Sequence, residues 1–277
     1  MHGYILSDKE HKPVTEYISW RDTLFQSLSQ PYPFFIEKES GTSAKNNLPV
    51  FSIYARSIAD PSTLERARYF DTLGSYIVYR LTGESRIHVT DACPTGFYLV
   101  PNGKLNRNLT DLPVFENLVF PTSVTGVEKA GNCGTANVYV AVGDQQASAY
   151  GVGLTEEEYL FNTGTASQLC CLSKDFVEGE FESRPYFNGK TLCTVSSLIG
   201  GGMSEEISRY EAMIKEEYRT ALSKLPFRSR LIATGGLATY NNELFEKIYL
   251  DIVGEYSYIN GQCAVEGLRK LARSICK

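Results

Sequence analysis

Three short segments carry residue types that could do chemistry. The first is Gly143-Asp144-Gln145-Gln146-Ala147, set between the apolar run Asn137–Val142 and a helical stretch, Gln145–Gly151. A carboxylate at a helix start sits where backbone N–H groups and the helix dipole favour its ionised form. Facing a cleft, such a carboxylate can take a proton from a hydroxyl. Plain helix capping explains the same aspartate, and caps are far commoner than bases.

The second segment is Asn162-Thr163-Gly164-Thr165, flanked by two strand-like stretches, Tyr159–Phe161 and Gln168–Leu172. Glycine lets a backbone approach a ligand, and consecutive N–H groups with threonine hydroxyls can cradle phosphate oxygens. A simple hairpin turn is equally compatible. The third is Ala233-Thr234-Gly235-Gly236-Leu237-Ala238, which follows a strand and precedes a helix. Glycines at a strand's carboxyl end are where nucleotides dock in α/β folds, although tight chain reversal also calls for them.

Two other patterns fail on inspection. Asn188-Gly189-Lys190-Thr191 ends like a phosphate-binding P-loop, but Arg184 stands where the first glycine belongs, and a strand follows instead of a helix. No Gly-x-Ser-x-Gly occurs, and His88 has no evident nucleophile to serve. With three histidines and no Cys-x-x-Cys, no metal site is expected.

The elements that must position these residues differ between the two halves. Gly3–Leu6 and Val14–Ser19 read as a hairpin around a charged turn, and Trp20-Arg21-Asp22 opens a short helix reaching Leu28. Gln30–Lys45 reads as a loop. Asn46–Ile58 and Leu64–Leu81 show helical periodicity, the latter with Phe70, Leu73, Ile77, Val78 and Leu81 on one face and a stop at Thr82-Gly83-Glu84. Asp91–Gly134 is irregular, with a helical stretch near Leu112–Leu118. In the second half, Thr191–Leu198 and Leu231–Ala233 read as strands, and helices are expected over Ser204–Leu225, Asn241–Val253 and Gln262–Ile275. The last of these puts Val265, Leu268, Leu271 and Ile275 at core spacing.

The 277 residues are enough for two domains, expected at 1–153 and 154–277, and to bury a core without staples. A hydrophobic share of 43% against 21% charged excludes wholesale disorder. A net charge of −5 argues against a nucleic-acid partner, and no apolar run nears the eighteen or so residues a membrane span needs. Seven cysteines, two of them adjacent, suit reduced thiols better than disulfides, and with no leader-like start this predicts a cytoplasmic protein.

Taken in order, the segments resemble the FGGY carbohydrate kinases, most closely their sedoheptulokinase-like branch. Met1-His2-Gly3 is similar to the end of that family's Gly-Gln-Met-His-Gly segment, and Ile18-Ser19-Trp20-Arg21-Asp22 to its Trp-x-Asp sugar segment. Leu81-Thr82-Gly83-Glu84 and Thr90-Asp91-Ala92 follow suit. Gly143-Asp144-Gln145-Gln146-Ala147 resembles its catalytic-base motif and Asn162-Thr163-Gly164-Thr165 its second phosphate loop. Glu182-Ser183-Arg184-Pro185-Tyr186-Phe187, Gly201-Gly202 and Gly235-Gly236 fall in the family's order.

The resemblance implies an α/β, actin-like ATPase (ribonuclease H-like) fold of two domains, the first holding sugar and the second nucleotide. It implies ATP-dependent phosphorylation of a ketose such as sedoheptulose or xylulose, with Asp144 as general base and Mg²⁺ on the phosphates. His2, Trp20, Asp22 and Gln145 would then line the sugar pocket. Gly164 and Thr165 would hold the phosphates and Gly235 and Gly236 the adenosine, with Gly201 also on the nucleotide. The family's Asp-x-Gly-Thr-Thr phosphate loop has no counterpart in this sequence, and Gly202 runs almost directly into the next helix. The expectation is therefore an incomplete fold, and an inactive relative that binds sugar, nucleotide or a partner chain is the alternative.

Overall fold

The computed structural model describes residues 3–24, 34–40, 48–163, 167–198, 211–240 and 242–275, in two units, Met1–Gly143 and Asp144–Lys277. The first unit opens with strand β1 (Tyr4–Ser7), buried at all four positions. The expected return strand Val14–Ser19 is reduced to isolated bridges. Tyr4 and Ile18 exchange two 2.9 Å bonds, and Ser7 faces Pro13. Pro13 has no N–H to give, and the Thr15 hydroxyl takes the Leu6 N–H at 3.0 Å, so a regular ladder cannot form. Trp20 and Arg21 form a turn, and residues 25–28 of the helix expected to Leu28 lie outside the described residues.

Inside the stretch expected to be loop stands helix α1 (Phe34–Ser40), anchored by buried Ile36. Helix α2 (Pro49–Ala59) starts on a proline, which its first turn tolerates, and buries Val50, Phe51, Ile53 and Ala55. The long helix expected over Leu64–Leu81 is in fact three elements: α3 (Pro61–Arg66), strand β2 (Tyr69–Thr72) and α4 (Leu73–Thr82). β2 pairs antiparallel with β1, Tyr4 opposite Thr72. The strand wins because burying Phe70 between β1 and the aromatic cluster of Phe97 and Phe120 outweighs local helix preference. Thr72 and Ser75 then form a reciprocal capping box that starts α4, and Gly83, at φ 78°, stops it where the sequence indicated. On α4, Val78 is buried whereas Ile77 and Leu81 are exposed, because the frame restarts at Leu73.

Strand β3 (Arg86–His88) leads into the single turn α5 (Val89–Ala92), and α6 (Arg107–Thr110) is equally short. The helix expected near Leu112–Leu118 is a series of turns, closed by Phe115 N–H to Leu112 at 2.8 Å and Leu118 N–H to Phe115 at 2.9 Å. Strand β4 (Thr122–Val124) lies parallel to β3, and β5 (Lys129–Cys133) with β6 (Ala136–Tyr139) makes a hairpin around Gly134.

The second unit begins with α7 (Asp144–Val152), then strands β7 (Glu158–Thr163), β8 (Ser167–Ser173), β9 (Glu182–Pro185) and β10 (Thr191–Leu198). Helix α8 (Glu211–Lys224) precedes β11 (Arg230–Thr234), α9 (Gly236–Tyr240), α10 (Asn242–Leu250), β12 (Glu255–Ile259) and α11 (Cys263–Ile275). Among the described residues these strands form one sheet in the order β12-β11-β7-β8-β10-β9. β12, β11 and β7 run parallel, joined by helical crossovers, while β8, β10 and β9 alternate in antiparallel hairpins. Strands β9 and β12, at the two edges, are the ones the sequence did not signal.

Phe161 of β7 seats the core against Tyr218 of α8 (4.9 Å between ring centres), Phe245 (5.3 Å) and Tyr249 (5.1 Å) of α10. On α11 the buried stripe is Gly267 and Leu271, whereas Val265 and Leu268 are exposed at 39% and 49%. The reason is a close approach to α7, where backbone and not apolar side chains makes the contact. Residues 199–210, where the shortened segment was expected, lie outside the described residues. Among the described residues no helix is long and apolar enough to cross a membrane.

Candidate active site

Asp144 is the first residue of α7, exposed, with its Oδ1 accepting the N–H of Gln145 at 2.8 Å. The turn behind it is bolted to the sheet by the two glutamines that follow. Gln145 is buried. It gives its Nε2 to Thr194 Oγ1 on β10 (3.2 Å), and its Oε1 accepts from the Arg184 guanidinium on β9. Gln146 donates to the Pro185 carbonyl at 3.1 Å. Arg184 is itself fixed by Glu182, whose other oxygen takes the Ser196 hydroxyl at 3.0 Å. The structure thus sets an outward-facing carboxylate on a helix start whose next two side chains are occupied inside the protein. Gln145, expected to face a sugar, has both ends of its amide engaged within this network. Arg184 received no role from the sequence, since only the β9–β10 pairing brings it to α7.

The glycine segment lies where the parallel strands end. In β7 and β11, Asn162 stands opposite Thr234, so the chain entering Gly164 runs alongside the one entering Gly235. Gly235 has φ 98°, and a Cβ there would lie 2.3 Å from the Thr163 carbonyl oxygen. Only glycine fits that approach. The Thr163 hydroxyl ties the two ends together, donating to the Thr234 carbonyl (2.9 Å) and accepting from the Ala238 N–H (2.9 Å). At Gly236 an added Cβ would meet open space, so the backbone beside it is accessible. Gly164, Thr165 and Gly201 lie outside the described residues, as does His2.

In the first unit, Trp20 is half exposed at the turn that follows the Tyr4–Ile18 bridge, with the Arg21 guanidinium 5.2 Å from its ring centre. Asp22 is oriented from two sides. Its Oδ1 accepts the Leu24 N–H at 3.0 Å, and Arg56 of α2 sits 3.7 Å from Oδ2. Behind Arg56, the buried Tyr4 phenol bonds Ser52 at 3.0 Å, and burial raises its pKa, so it stays a neutral donor. An indole face beside a fixed carboxylate is a combination able to stack on C–H groups and accept from hydroxyls. Further along, the Gly143 N–H is held by the Thr90 hydroxyl at 2.9 Å, which in turn meets His88 Nδ1 at 2.7 Å, while His88 Nε2 bonds the Thr125 carbonyl. His88 therefore serves the fold. Burial lowers its pKa, which keeps it neutral.

The family described as the FGGY family of carbohydrate kinases, N-terminal domain, matches residues 1–149. The chain belongs to the FGGY family of carbohydrate kinases. Members of this family are phosphotransferases that act on an alcohol group. No curated protein sequence matches the chain. Among solved structures it is similar to a ligand-bound xylulose kinase from Lactobacillus acidophilus, at 14% identity and TM-score 0.85, covering 100% of this chain and 74% of that one. A gluconate kinase from the same organism gives 14% and 0.83 over the same shares. Plasmodium falciparum glycerol kinase with ADP gives 14% and 0.75, covering 96% of this chain and 72% of that chain. At these identities the likeness establishes the fold, the actin-like ATPase fold of the FGGY sugar kinases.

Proposed function

We propose that this FGGY chain transfers the γ-phosphoryl group of ATP to a hydroxyl of a sugar, with Asp144 as the general base. The observation that supports it best is Asp144 itself: an exposed carboxylate on the first turn of a helix whose next two side chains hold it to the sheet. Phosphoryl transfer asks a protein mainly to position the reactants and neutralise charge. A carboxylate held in one place can accept the proton as the hydroxyl attacks. In the same reading Trp20 and Asp22 receive the sugar, the indole against its C–H face and the carboxylate on its hydroxyls, with His2 beside them. Gln145 acts as a strut for Asp144.

Gly164 and Thr165 take the phosphates and Gly235 with Gly236 the adenosine, with Gly201 also on the nucleotide. The open space at Gly236 fits a nucleotide laid across the ends of β7 and β11. Mg²⁺ would accompany ATP. Among the described residues no group of three His, Cys, Asp or Glu side chains is placed to hold a metal. An ion carried by phosphate oxygens and waters needs at most one or two carboxylates from the protein. The sugar in this reading is a ketose, sedoheptulose or xylulose, on the resemblance of the ordered segments to the sedoheptulokinase-like branch. An ATP-fed enzyme with free thiols at Cys93, Cys170, Cys171 and Cys193 belongs in the cytoplasm.

ADP release with Mg-ATP, across sedoheptulose, xylulose, ribulose and glycerol, tests the reading. Turnover is expected with a ketose and little with glycerol. Folded protein that releases no ADP with any of the four would turn the reading toward a relative that binds without catalysing.

A further inference from the structure

At the carboxyl end of α7, nine residues or about 13 Å of helix from Asp144, the second unit holds a cavity of about 420 Å³. Its volume lies within the range of small-molecule sites. One wall is aromatic: Tyr150, Tyr186 and Phe187 pack edge to face, Phe187 being 5.4 Å from Tyr150 and 5.0 Å from Tyr186 between ring centres. Leu172 continues this wall, and two lysines complete the lining, Lys190 and Lys270.

The cations arrive from separate elements and are held in place. Lys270, on α11, donates to the Gly151 carbonyl at 2.5 Å, one of the last carbonyls of α7. Lys190, just before β10, meets Glu156 at 2.8 Å. That carboxylate is shared, since Lys174 also reaches it at 3.7 Å. In a chain of net charge −5, a cavity lined by two lysines runs against the overall balance. Burial pushes up the pKa of the Tyr186 phenol, which therefore adds no negative charge to the wall. Two ammonium groups beside an aromatic and aliphatic wall suit a ligand with a doubly charged anionic head and a ring or short apolar body.

We propose that this cavity is a binding site for a small organic phosphate, a phosphomonoester whose phosphate meets Lys190 and Lys270 and whose body lies against Tyr150, Tyr186 and Phe187. The site is separate from the Asp144 and Gly235 segments and does not depend on their chemistry.

The test is titration of the full chain with phenyl phosphate, followed by backbone amide NMR, with inorganic phosphate and phenol as the two halves of the ligand. Saturable shifts in the amides of residues 186–190 are expected. Each half alone should bind about tenfold more weakly, and Lys190→Gln or Lys270→Gln should each cost about tenfold in affinity. Should Lys270→Gln unfold the chain by releasing the Gly151 carbonyl, Lys190→Gln decides. No saturable shift up to about 10 mM overturns the proposal, as does binding that Lys190→Gln leaves unchanged or that phenol matches.

Discussion

Gly151 and Gly267 meet backbone to backbone where α7 crosses α11. A Cβ on Gly151 would lie 1.9 Å from the Cys263 carbonyl oxygen, and one on Gly267 would lie 1.9 Å from the Ala147 carbonyl oxygen. Each glycine makes room for the other helix, and the obstruction is main chain, which cannot swing aside as a side chain would. Since Asp144 begins α7, this crossing also fixes the helix that carries it. Gly151→Ala and Gly267→Ala are each expected to destabilise the chain by roughly 1–3 kcal/mol, toward the upper end. Urea unfolding checks this. A midpoint unchanged in both variants would mean the helices lie further apart than the structure has them.

Asp71 supplies a pH dependence. Burial raises its carboxyl to about 7, partly offset by the Ser75 hydroxyl at 2.7 Å. A folded-state pKa above the unfolded value near 3.8 means the native state binds more protons between these limits. The contribution of Asp71 to stability is therefore greatest in acid and falls as pH rises from about 4 through about 7, by a few kcal/mol at most. Asp71→Asn, which keeps the shape without the charge, should flatten that slope. Thermal unfolding of both forms between pH 5 and 8 reads it, and parallel curves would rule Asp71 out as the source.

Arg184 acts through Gln145. Its fork spans Glu182 and the Gln145 amide, a geometry that a lysine cannot reproduce. Arg184→Ala should lower kcat by about tenfold while leaving the sugar KM within about twofold, because the loss is in aiming Asp144 and not in binding. Arg184→Lys should recover only part of it. A KM effect without a kcat effect would place Arg184 in substrate binding instead.

Much of the second unit was legible because its signals are local. Thr191–Leu198 is a strand at the expected ends, β7 and β8 pair around the expected turn, and Phe245, Ile248 and Tyr249 face the core as their spacing indicated. What was hidden depends on distant partners. Tyr69–Thr72 continues a helical pattern but pairs with β1, a partner about sixty residues away in the sequence. Glu255–Ile259 becomes a strand because β11 offers it an edge. On α11 the apolar spacing of Val265 and Leu268 pointed to the wrong face, since the true contact is made by glycine, which leaves no hydrophobic signal. The site follows the same rule. Asp144 and the Gly235-Gly236 pair stand out by type and position, whereas Arg184 and Thr163 gain their importance only when β9 and β11 come alongside their neighbours.

The central claim is that Asp144 takes the proton from the attacking hydroxyl. The most direct measurement is kcat for ketose phosphorylation by Asp144→Asn beside the unaltered chain, with sugar and ATP binding measured on both by calorimetry. Asp144→Asn should lose about a thousandfold in kcat with both affinities nearly unchanged, since asparagine fills the same space without accepting the proton. Turnover by Asp144→Asn within a few-fold of the unaltered chain would contradict it.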